Sequence, residues 1–169
     1  MNVLVAELMW PEGLDELGAA CRVVYDPDLW RDPQRLREEV RSADALIVRN
    51  QTRVDAALLK SGPSLKAIGR LGVGLDNIDL EAARELEISV VYARNANAVS
   101  VAEYVMAAIL HSSRDLSGAN EDVRTGNWDR KWFTGSELYG KALGLVGVGE
   151  ISQRTARRAG AFGEDSAQQ

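Results

Sequence analysis

Residues 45–79 read ALIVRNQTRVDAALLKSGPSLKAIGRLGVGLDNID, and this stretch decides the fold. It opens with the apolar run Ala45–Val48 and contains a second apolar run, Leu65–Ile68. A helical pattern over Asp55–Lys60 lies between the two runs and ends before Ser61–Pro63. Short, almost continuous aliphatic runs are typical of parallel strands that are covered on both faces. The stretch therefore predicts a strand-helix-strand unit of an α/β protein.

The same alternation continues on both sides of this stretch, over residues 1–95. A helix is predicted from Pro33 to Ser42, with Asp32 as its N-cap and Leu36 and Val40 on one face. Asp79 is predicted to cap another helix from Leu80 to Leu86. We predict a doubly wound, flavodoxin-like α/β domain. Its other strands are expected at Val3–Ala6, Arg22–Tyr25 and Ser89–Tyr92.

Residues 96–169 follow a different pattern, so we place a domain boundary near Asn95. The segment Val99–Leu116 is apolar around most of its circumference, which indicates a helix buried between layers or between subunits. Further on, Ala142–Val146 is predicted to be a strand and Ile151–Ala159 a helix. The last six residues show no periodicity, where a dinucleotide-binding domain would continue with another apolar strand. We therefore interpret residues 96–169 as the start of a truncated nucleotide-binding domain.

The turn between that strand and that helix has the pattern G-x-G-x-x-S. Gly147 permits a tight turn out of the strand, and Gly149 lets the backbone approach a pyrophosphate. The N-terminus of the following helix offers free N–H groups and the positive end of the helix dipole. Ser152 replaces the usual third glycine, and Glu150 adds a carboxylate that is compatible with the helix dipole. The strand before the turn and the helix after it are the context that a dinucleotide-binding turn requires.

A second glycine-rich turn, Gly69–Asp79, follows the predicted strand at Leu65–Ile68. Its glycines free the backbone to present N–H groups to an anion, and Arg70 stands inside it. Arg49 follows the preceding strand. Since ligands of open α/β sheets bind beyond the carboxyl ends of the strands, Arg49 and Arg70 are candidates to meet one anionic ligand. Taken singly, each arginine is more often a surface or ion-pair residue.

Composition excludes several other functions. The formal net charge of −5 disfavours nucleic-acid binding, and the absence of a long apolar run predicts no membrane span. Cys21 is the single cysteine, so we expect neither an internal disulfide nor a cysteine metal site. Gly135–Ala142 resembles a P-loop but has alanine where a hydroxyl is needed. His111, the single histidine, is interpreted as a structural residue of the apolar helix.

Several motifs in register resemble the D-isomer-specific 2-hydroxyacid dehydrogenases, in particular the D-3-phosphoglycerate dehydrogenase branch. The resemblance runs from about residue 1 to Gly163. It implies NAD as cofactor and a small anionic 2-hydroxy acid as substrate, in a cytoplasmic enzyme. Which acid, and whether NAD or NADP is used, stays open. The matching segments are Leu46–Arg49, Gly69–Asp79, Asn95–Glu103, Gly126–Trp128 and Glu137–Ile151.

The resemblance also assigns roles to single positions. Arg49 and Arg70 match positions that face the anionic groups of the substrate, and the N–H groups of Val73 and Gly74 match those that hold its carboxylate. Val73 is also expected near the nicotinamide. The segment Val99–Leu116 resembles the helix of a two-fold dimer interface. The positions that match the pyrophosphate turn are Gly147, Gly149, Glu150 and Ile151.

The catalytic arginine, glutamate and histidine of the family have no counterpart in residues 1–169. We therefore expect this chain to be inactive by itself and to bind NAD weakly or not at all. Asp165 lies about where a ribose-binding carboxylate belongs, but no apolar strand precedes it, so it is not predicted to be one. The alternative is a non-catalytic anion-binding or subunit-interaction module derived from the family.

Overall fold

The chain divides into two units, residues 1–96 and 97–169, each built on parallel strands. The computed structural model describes the backbone of residues 1–163 and 165–168, and the side chains of residues 1–163. In that part of the chain, no helix has the combination of length and apolarity that a transmembrane span requires.

The first unit is a five-stranded sheet with helices between its strands. All neighbouring strands are parallel, and their order is β2-β1-β3-β4-β5. This is the flavodoxin-like order, in which the chain reverses its direction of winding between β1 and β3. The prediction of a doubly wound α/β fold is therefore confirmed. The strands are β1 Asn2–Val5, β2 Arg22–Tyr25, β3 Ala45–Val48, β4 Ala67–Arg70 and β5 Ser89–Tyr92.

Three helices of this unit begin at aspartates whose side chains cap them. Asp32 accepts from the N–H of Arg35 at 3.0 Å, and Asp79 accepts in the same way from Ala82 at 3.0 Å. Each cap satisfies an N–H group that has no partner within its helix. The helices are α1 Pro11–Ala20, α2 Pro33–Val40, α3 Ala56–Ser61, which Asp55 caps, and α4 Leu80–Glu85; a short 3-10 helix spans Leu29–Arg31.

The core lies between the central strands and the helices that cover them. Leu46, Val48 and Ile68 are fully buried, and Leu36 and Val40 of α2, predicted to share one face, are buried in the same cluster. Two details differ from the sequence prediction. Strand β4 begins at Ala67 because Leu65 belongs to the preceding turn, where its N–H donates to the carbonyl of Gly62. Helix α1 was not predicted, and it has no fully buried residue to reveal it.

The second unit contains a parallel strand-helix-strand element. Strand β6, Ala142–Leu145, pairs in parallel with β7, Asp165–Gln168, and helix α7, Glu150–Gly160, connects them. The last residues show no periodicity, and the expectation that no second strand follows α7 is wrong for Asp165–Gln168. Backbone pairing requires no apolar side chains, so the sequence pattern did not reveal this strand. The other helices of the unit are α5, Ala98–Ser113, and α6, Leu116–Arg124.

Helix α5 is less buried than its sequence suggests. It packs against α7, and its fully buried residues are Ala98, Ala102 and Met106, which lie four apart on one face. Tyr104 is 75% exposed. The helix also ends at Ser113, short of the predicted Leu116, which instead begins α6. In the described chain α5 is thus covered on one face, and its burial between subunits stays a prediction.

Candidate functional site

Three segments of the first unit meet at the carboxyl edge of its sheet. They are Glu7, two residues beyond β1, the loop Arg49–Val54 after β3, and the loop Leu71–Asp79 after β4. The N–H of Leu71 donates to the carbonyl of Val48 at 2.8 Å, so the two loops leave the sheet side by side. This edge, at the point where the winding reverses, is where open α/β sheets bind their ligands.

Glu7 organises the loop after β3. Its carboxylate is buried, with 3% of the residue exposed, and it accepts three backbone hydrogen bonds. One oxygen, Oε1, accepts from the N–H of Arg49 at 2.8 Å and from that of Thr52 at 2.9 Å, while Oε2 accepts from Gln51 at 3.0 Å. The sequence prediction missed this residue. The available signal was a lone carboxylate directly after a buried strand, at the edge where a site was expected.

The hydrogen bonds keep the Glu7 carboxylate charged. Burial raises its pKa because a charged group loses hydration. The backbone N–H groups of Thr52, Gln51 and Arg49 outweigh that effect, so the pKa of Glu7 lies below its ordinary value of 4.5. With its oxygens engaged and its pKa lowered, Glu7 is unsuited to accept a proton during a reaction.

Asn77 holds the same loop from the other side. Its Nδ2 donates to the carbonyl of Arg49 at 3.0 Å and to that of Thr52 at 2.7 Å. The backbone adds two further ties, because the N–H of Val54 donates to the carbonyl of Asn77 at 2.8 Å and the N–H of Asp79 to that of Val54 at 2.9 Å. The two loops therefore form one hydrogen-bonded structure.

The glycine-rich loop after β4 carries Arg70 folded onto its own backbone. Arg70 Nη1 donates to the carbonyl of Leu71 at 3.0 Å. Gly72 has a φ of +155°, which side chains rarely adopt, so the backbone favours glycine there; a Cβ would also displace the flexible end of the Arg70 side chain. Among the described residues, nothing accepts a hydrogen bond from the N–H of Val73 or Gly74. These two groups are available to an anion, as a carboxylate-binding role requires.

The two predicted arginines follow adjacent strands but differ in their side-chain contacts. Val48 pairs in register with Arg70, so Arg49 lies one residue further along the neighbouring strand. Within the described part of the chain, the guanidinium of Arg49 makes no hydrogen bond or ion pair. The structure brings the two backbones to one edge, whereas the meeting of both side chains on one ligand stays a prediction.

A polar depression of about 490 Å³ adjoins these loops, but Arg49, Arg70, Val73 and Gly74 are not among the residues that line it. Asn50 and Arg53 line it from the loop after β3, and Asp76 and Asn77 line it from the loop after β4.

In the second unit, the turn between β6 and α7 has the geometry of an anion-binding turn. Gly147 has a φ of +94°, which glycine adopts without strain, and Gly149 is the N-cap of α7. A Cβ on either glycine would meet no atom within 4 Å, so the space beside the turn is open. The first N–H groups of α7, from Glu150 to Ser152, have no partner within the helix. These features fit a pyrophosphate at the turn.

Two acidic residues of the second unit, Glu150 and Asp165, bear on a cofactor role of this turn. Glu150 pairs with Arg154 one helical turn further on, at 3.0 Å, so its own helix engages its side chain. The group of Glu150 that remains available to a cofactor is therefore its backbone N–H. Asp165 begins β7 opposite Ala142, at the amino end of the strands, whereas the glycine turn follows the carboxyl end of β6. Its side chain lies outside the described residues. His111 is exposed on α5.

The fold and these two turns define a class: α/β proteins with glycine-rich loops at the carboxyl ends of parallel strands. Residues 3–168 match the model of the D-isomer specific 2-hydroxyacid dehydrogenase catalytic domain. The chain belongs to this family.

Individual relatives agree with this assignment. The chain is 45% identical over 162 residues to the (S)-sulfolactate dehydrogenase of Chromohalobacter salexigens, which covers 96% of this chain and 52% of that protein. It is 47% identical over 130 residues to the D-3-phosphoglycerate dehydrogenase of Methanocaldococcus jannaschii, covering 77% of this chain and 25% of that one. The solved structure of the TT0316 protein from Thermus thermophilus superposes with a TM-score of 0.90 and 32% identity, over 99% of this chain and 55% of that one. The chain thus spans about half the length of the sulfolactate dehydrogenase and a quarter of the phosphoglycerate dehydrogenase.

Proposed function

We propose that this chain provides the substrate-binding domain and the beginning of the cofactor-binding domain of an NAD-dependent oxidoreductase that acts on the CH–OH group of D-2-hydroxy acids. The observation that carries the proposal is the paired loops at the carboxyl edge of the first sheet. There, the N–H groups of Val73 and Gly74 have no partner in the described part of the chain, and Arg49 stands on the neighbouring loop.

Each loop has a separate task in this proposal. The N–H groups of Val73 and Gly74 bind the substrate carboxylate, with Val73 also beside the nicotinamide. The guanidinium of Arg49 binds a second anionic group, and Arg70 adds positive charge from its place on the glycine-rich loop. Donors fixed before the ligand arrives bind more tightly than donors that must first be ordered.

The turn Gly147–Ile151 of the second unit holds the pyrophosphate of NAD in the same proposal. The open space at Gly149 admits the phosphates, and the free N–H groups at the start of α7 donate to them. Bound there, the nicotinamide of NAD would supply the acceptor for the hydride of C2 of the hydroxy acid. The proton of the hydroxyl group needs a separate acceptor.

We assign this role to neither His111 nor Glu7. His111 is exposed on α5, and Glu7 is buried with its oxygens engaged. We propose that the 169-residue chain by itself turns over no 2-hydroxy acid. An activity assay with NAD and the His111→Ala variant tests this; NAD reduction that disappears in the variant would contradict the proposal.

The substrate class follows from the charges at the site. A second cation beside the carboxylate-binding loop favours a hydroxy acid with a second anionic group, such as a phosphate or a sulfonate, over lactate. The names of the relatives, phosphoglycerate and sulfolactate dehydrogenases, are consistent with either group.

Calorimetric titration of the chain with 3-phosphoglycerate and with D-lactate tests this preference. We expect phosphoglycerate to bind more tightly, and Arg49→Met to weaken its binding about tenfold or more, because a charge-assisted hydrogen bond is lost. The matched control is Arg41→Met, which removes the same charge from an exposed position after α2. Equal affinities for both acids, unchanged by Arg49→Met, would contradict the proposed site.

A second candidate function is a non-catalytic module for subunit interaction. The observation that favours it is the exposure of large apolar side chains in the second unit, including Tyr104, Trp128 and Trp132 at 75%, 74% and 78%. Both candidate functions are compatible with a homodimer that forms through the α5 region. Anion binding without any turnover in a longer chain that includes the downstream residues would favour the module; turnover in that chain would favour the enzyme.

A further inference from the structure

We infer that Glu7 is a positioning residue, which holds the loop Arg49–Thr52 in the one conformation that directs Arg49 toward an anionic ligand. This inference rests on the proposed function, because it concerns the same anion site. Glu7 touches neither substrate nor cofactor in it and acts entirely through the loop.

The first argument is the absence of a cation beside a buried carboxylate. Among the described residues, Glu7 forms no salt bridge, although only 3% of it is exposed and it follows the fully apolar run Val3–Ala6. A buried charge without a cation is costly unless hydrogen bonds replace its hydration. Here three backbone N–H groups of one loop replace that hydration. Among the described residues, this loop is therefore the only segment that the carboxylate holds in place.

The second argument is the geometry of the loop. Arg49 is the first residue beyond β3, where the ladder to the neighbouring strands ends. The N–H groups of residues 49, 51 and 52 all point at one carboxylate, so the chain curls around Glu7 instead of continuing as a strand. The Glu7 side chain thus accepts the backbone hydrogen bonds that a neighbouring strand would otherwise have to accept.

The third argument is that Arg49 is held on both sides of its Cα. Its N–H donates to Glu7 at 2.8 Å, and its carbonyl accepts from Asn77 Nδ2 at 3.0 Å. Its guanidinium has no partner within the described part of the chain. A fixed backbone with a free charged end is the arrangement that a ligand-binding arginine needs, because the ordering cost is met before binding.

A double-mutant cycle on binding of 3-phosphoglycerate tests the inference. The variants are Glu7→Gln, Arg49→Met and the double variant, titrated at a temperature where all three are folded by circular dichroism. Glutamine keeps the size of glutamate, but its NH2 group replaces one oxygen. It therefore cannot accept the hydrogen bond that a backbone N–H of the loop donates to that oxygen. The matched control is Glu12→Gln, which removes the same charge at an exposed position in α1.

We expect Glu7→Gln to weaken binding about fivefold, within the range of one hydrogen-bond network, and Glu12→Gln to leave it unchanged. In the Arg49→Met background, Glu7→Gln should have no further effect, since the loop then has nothing to position. General damage to the fold would instead weaken binding by the same factor in both backgrounds. That additive result would overturn the inference.

The outcomes separate this inference from the proposed function. If Arg49→Met weakens binding and Glu7→Gln does not, the positioning role is wrong and the anion site stands. If the unaltered chain binds no phosphoglycerate, or Arg49→Met changes nothing, both fail. Should Glu7→Gln not fold, Asn77→Ala takes its place, because it removes the two donors that hold the same loop. Like Glu7→Gln, Asn77→Ala should weaken the binding of 3-phosphoglycerate when Arg49 is present and have no further effect in the Arg49→Met background.

Discussion

At the scale of single residues, the Glu7 carboxylate links the stability of the first unit to pH. Its folded-state pKa lies below the ordinary value, so the carboxylate contributes stability that is fully present above 4.5. That contribution is lost as pH falls through the folded-state pKa. We expect Glu7→Gln to lower the free energy of unfolding near neutral pH, and the difference from the unaltered chain to shrink below 4.5.

Urea denaturation of both chains at neutral pH and at several acidic values measures this difference. Glu12→Gln serves as the control, because its exposed carboxylate makes no comparable set of bonds. A difference that stays constant from neutral to acidic pH would show that the charge of Glu7 does not stabilise the loop.

The two glycines of the turn after β6 differ in what requires them. Gly147 has a φ of +94°, so a side chain there is strained, whereas Gly149 has the ordinary φ of −71° and is an N-cap. We expect Gly147→Ser to destabilise the second unit by about 1–2 kcal/mol. Gly149→Ser should leave stability unchanged or slightly raised, because serine is a good N-cap. Thermal denaturation compares the same substitution at both sites, and equal losses would contradict this account of the turn.

At the scale of elements, the sequence predicted those parts whose signals are local. Asp32 and Asp79 mark the beginnings of α2 and α4 because a capping side chain bonds the helix that follows it. Strand β7 was missed because its pairing with β6 uses backbone groups alone. Arg49 and Arg70 were found as charges beside strand ends, but Glu7 acts on a loop 42 residues away, and nothing local reveals that contact.

For helix α5 the sequence prediction is limited in the same way, because amino-acid composition does not indicate which face of a helix other residues cover. Met106 is buried, so Met106→Glu should destabilise the second unit itself by several kcal/mol. Tyr104 on the same helix is 75% exposed, so Tyr104→Glu should leave its stability unchanged. We expect Tyr104→Glu to weaken self-association, since it places a charge on an exposed apolar surface. Sedimentation velocity and thermal denaturation separate the two effects; a monodisperse monomer of the unaltered chain would contradict the interface.

At the scale of the whole molecule, the two units differ in how complete their sites are. In the first unit, the loops after β3 and β4 and the Glu7 carboxylate form one hydrogen-bonded structure, which carries the whole of the proposed anion site. In the second unit, the described residues form one strand-helix-strand element with one glycine turn. Dinucleotide sites of this kind need two such halves, with an acidic side chain at the end of the second strand for the ribose.

The 169-residue chain is therefore expected to bind NAD more weakly than a small dianionic acid. The turn at Gly147–Ile151 offers the pyrophosphate its N–H groups, but β7 ends at Gln168, a residue type that carries an amide and no carboxylate for the ribose. We expect a Kd for NAD above about 1 μM, which corresponds to less than about 8 kcal/mol of binding free energy. Calorimetry measures it, with Gly149→Ser as the matched variant, because a Cβ at that position occupies the space that the phosphates need. Submicromolar binding that Gly149→Ser abolishes would show that this single turn is sufficient. Binding that Gly149→Ser leaves unchanged would place NAD away from the turn.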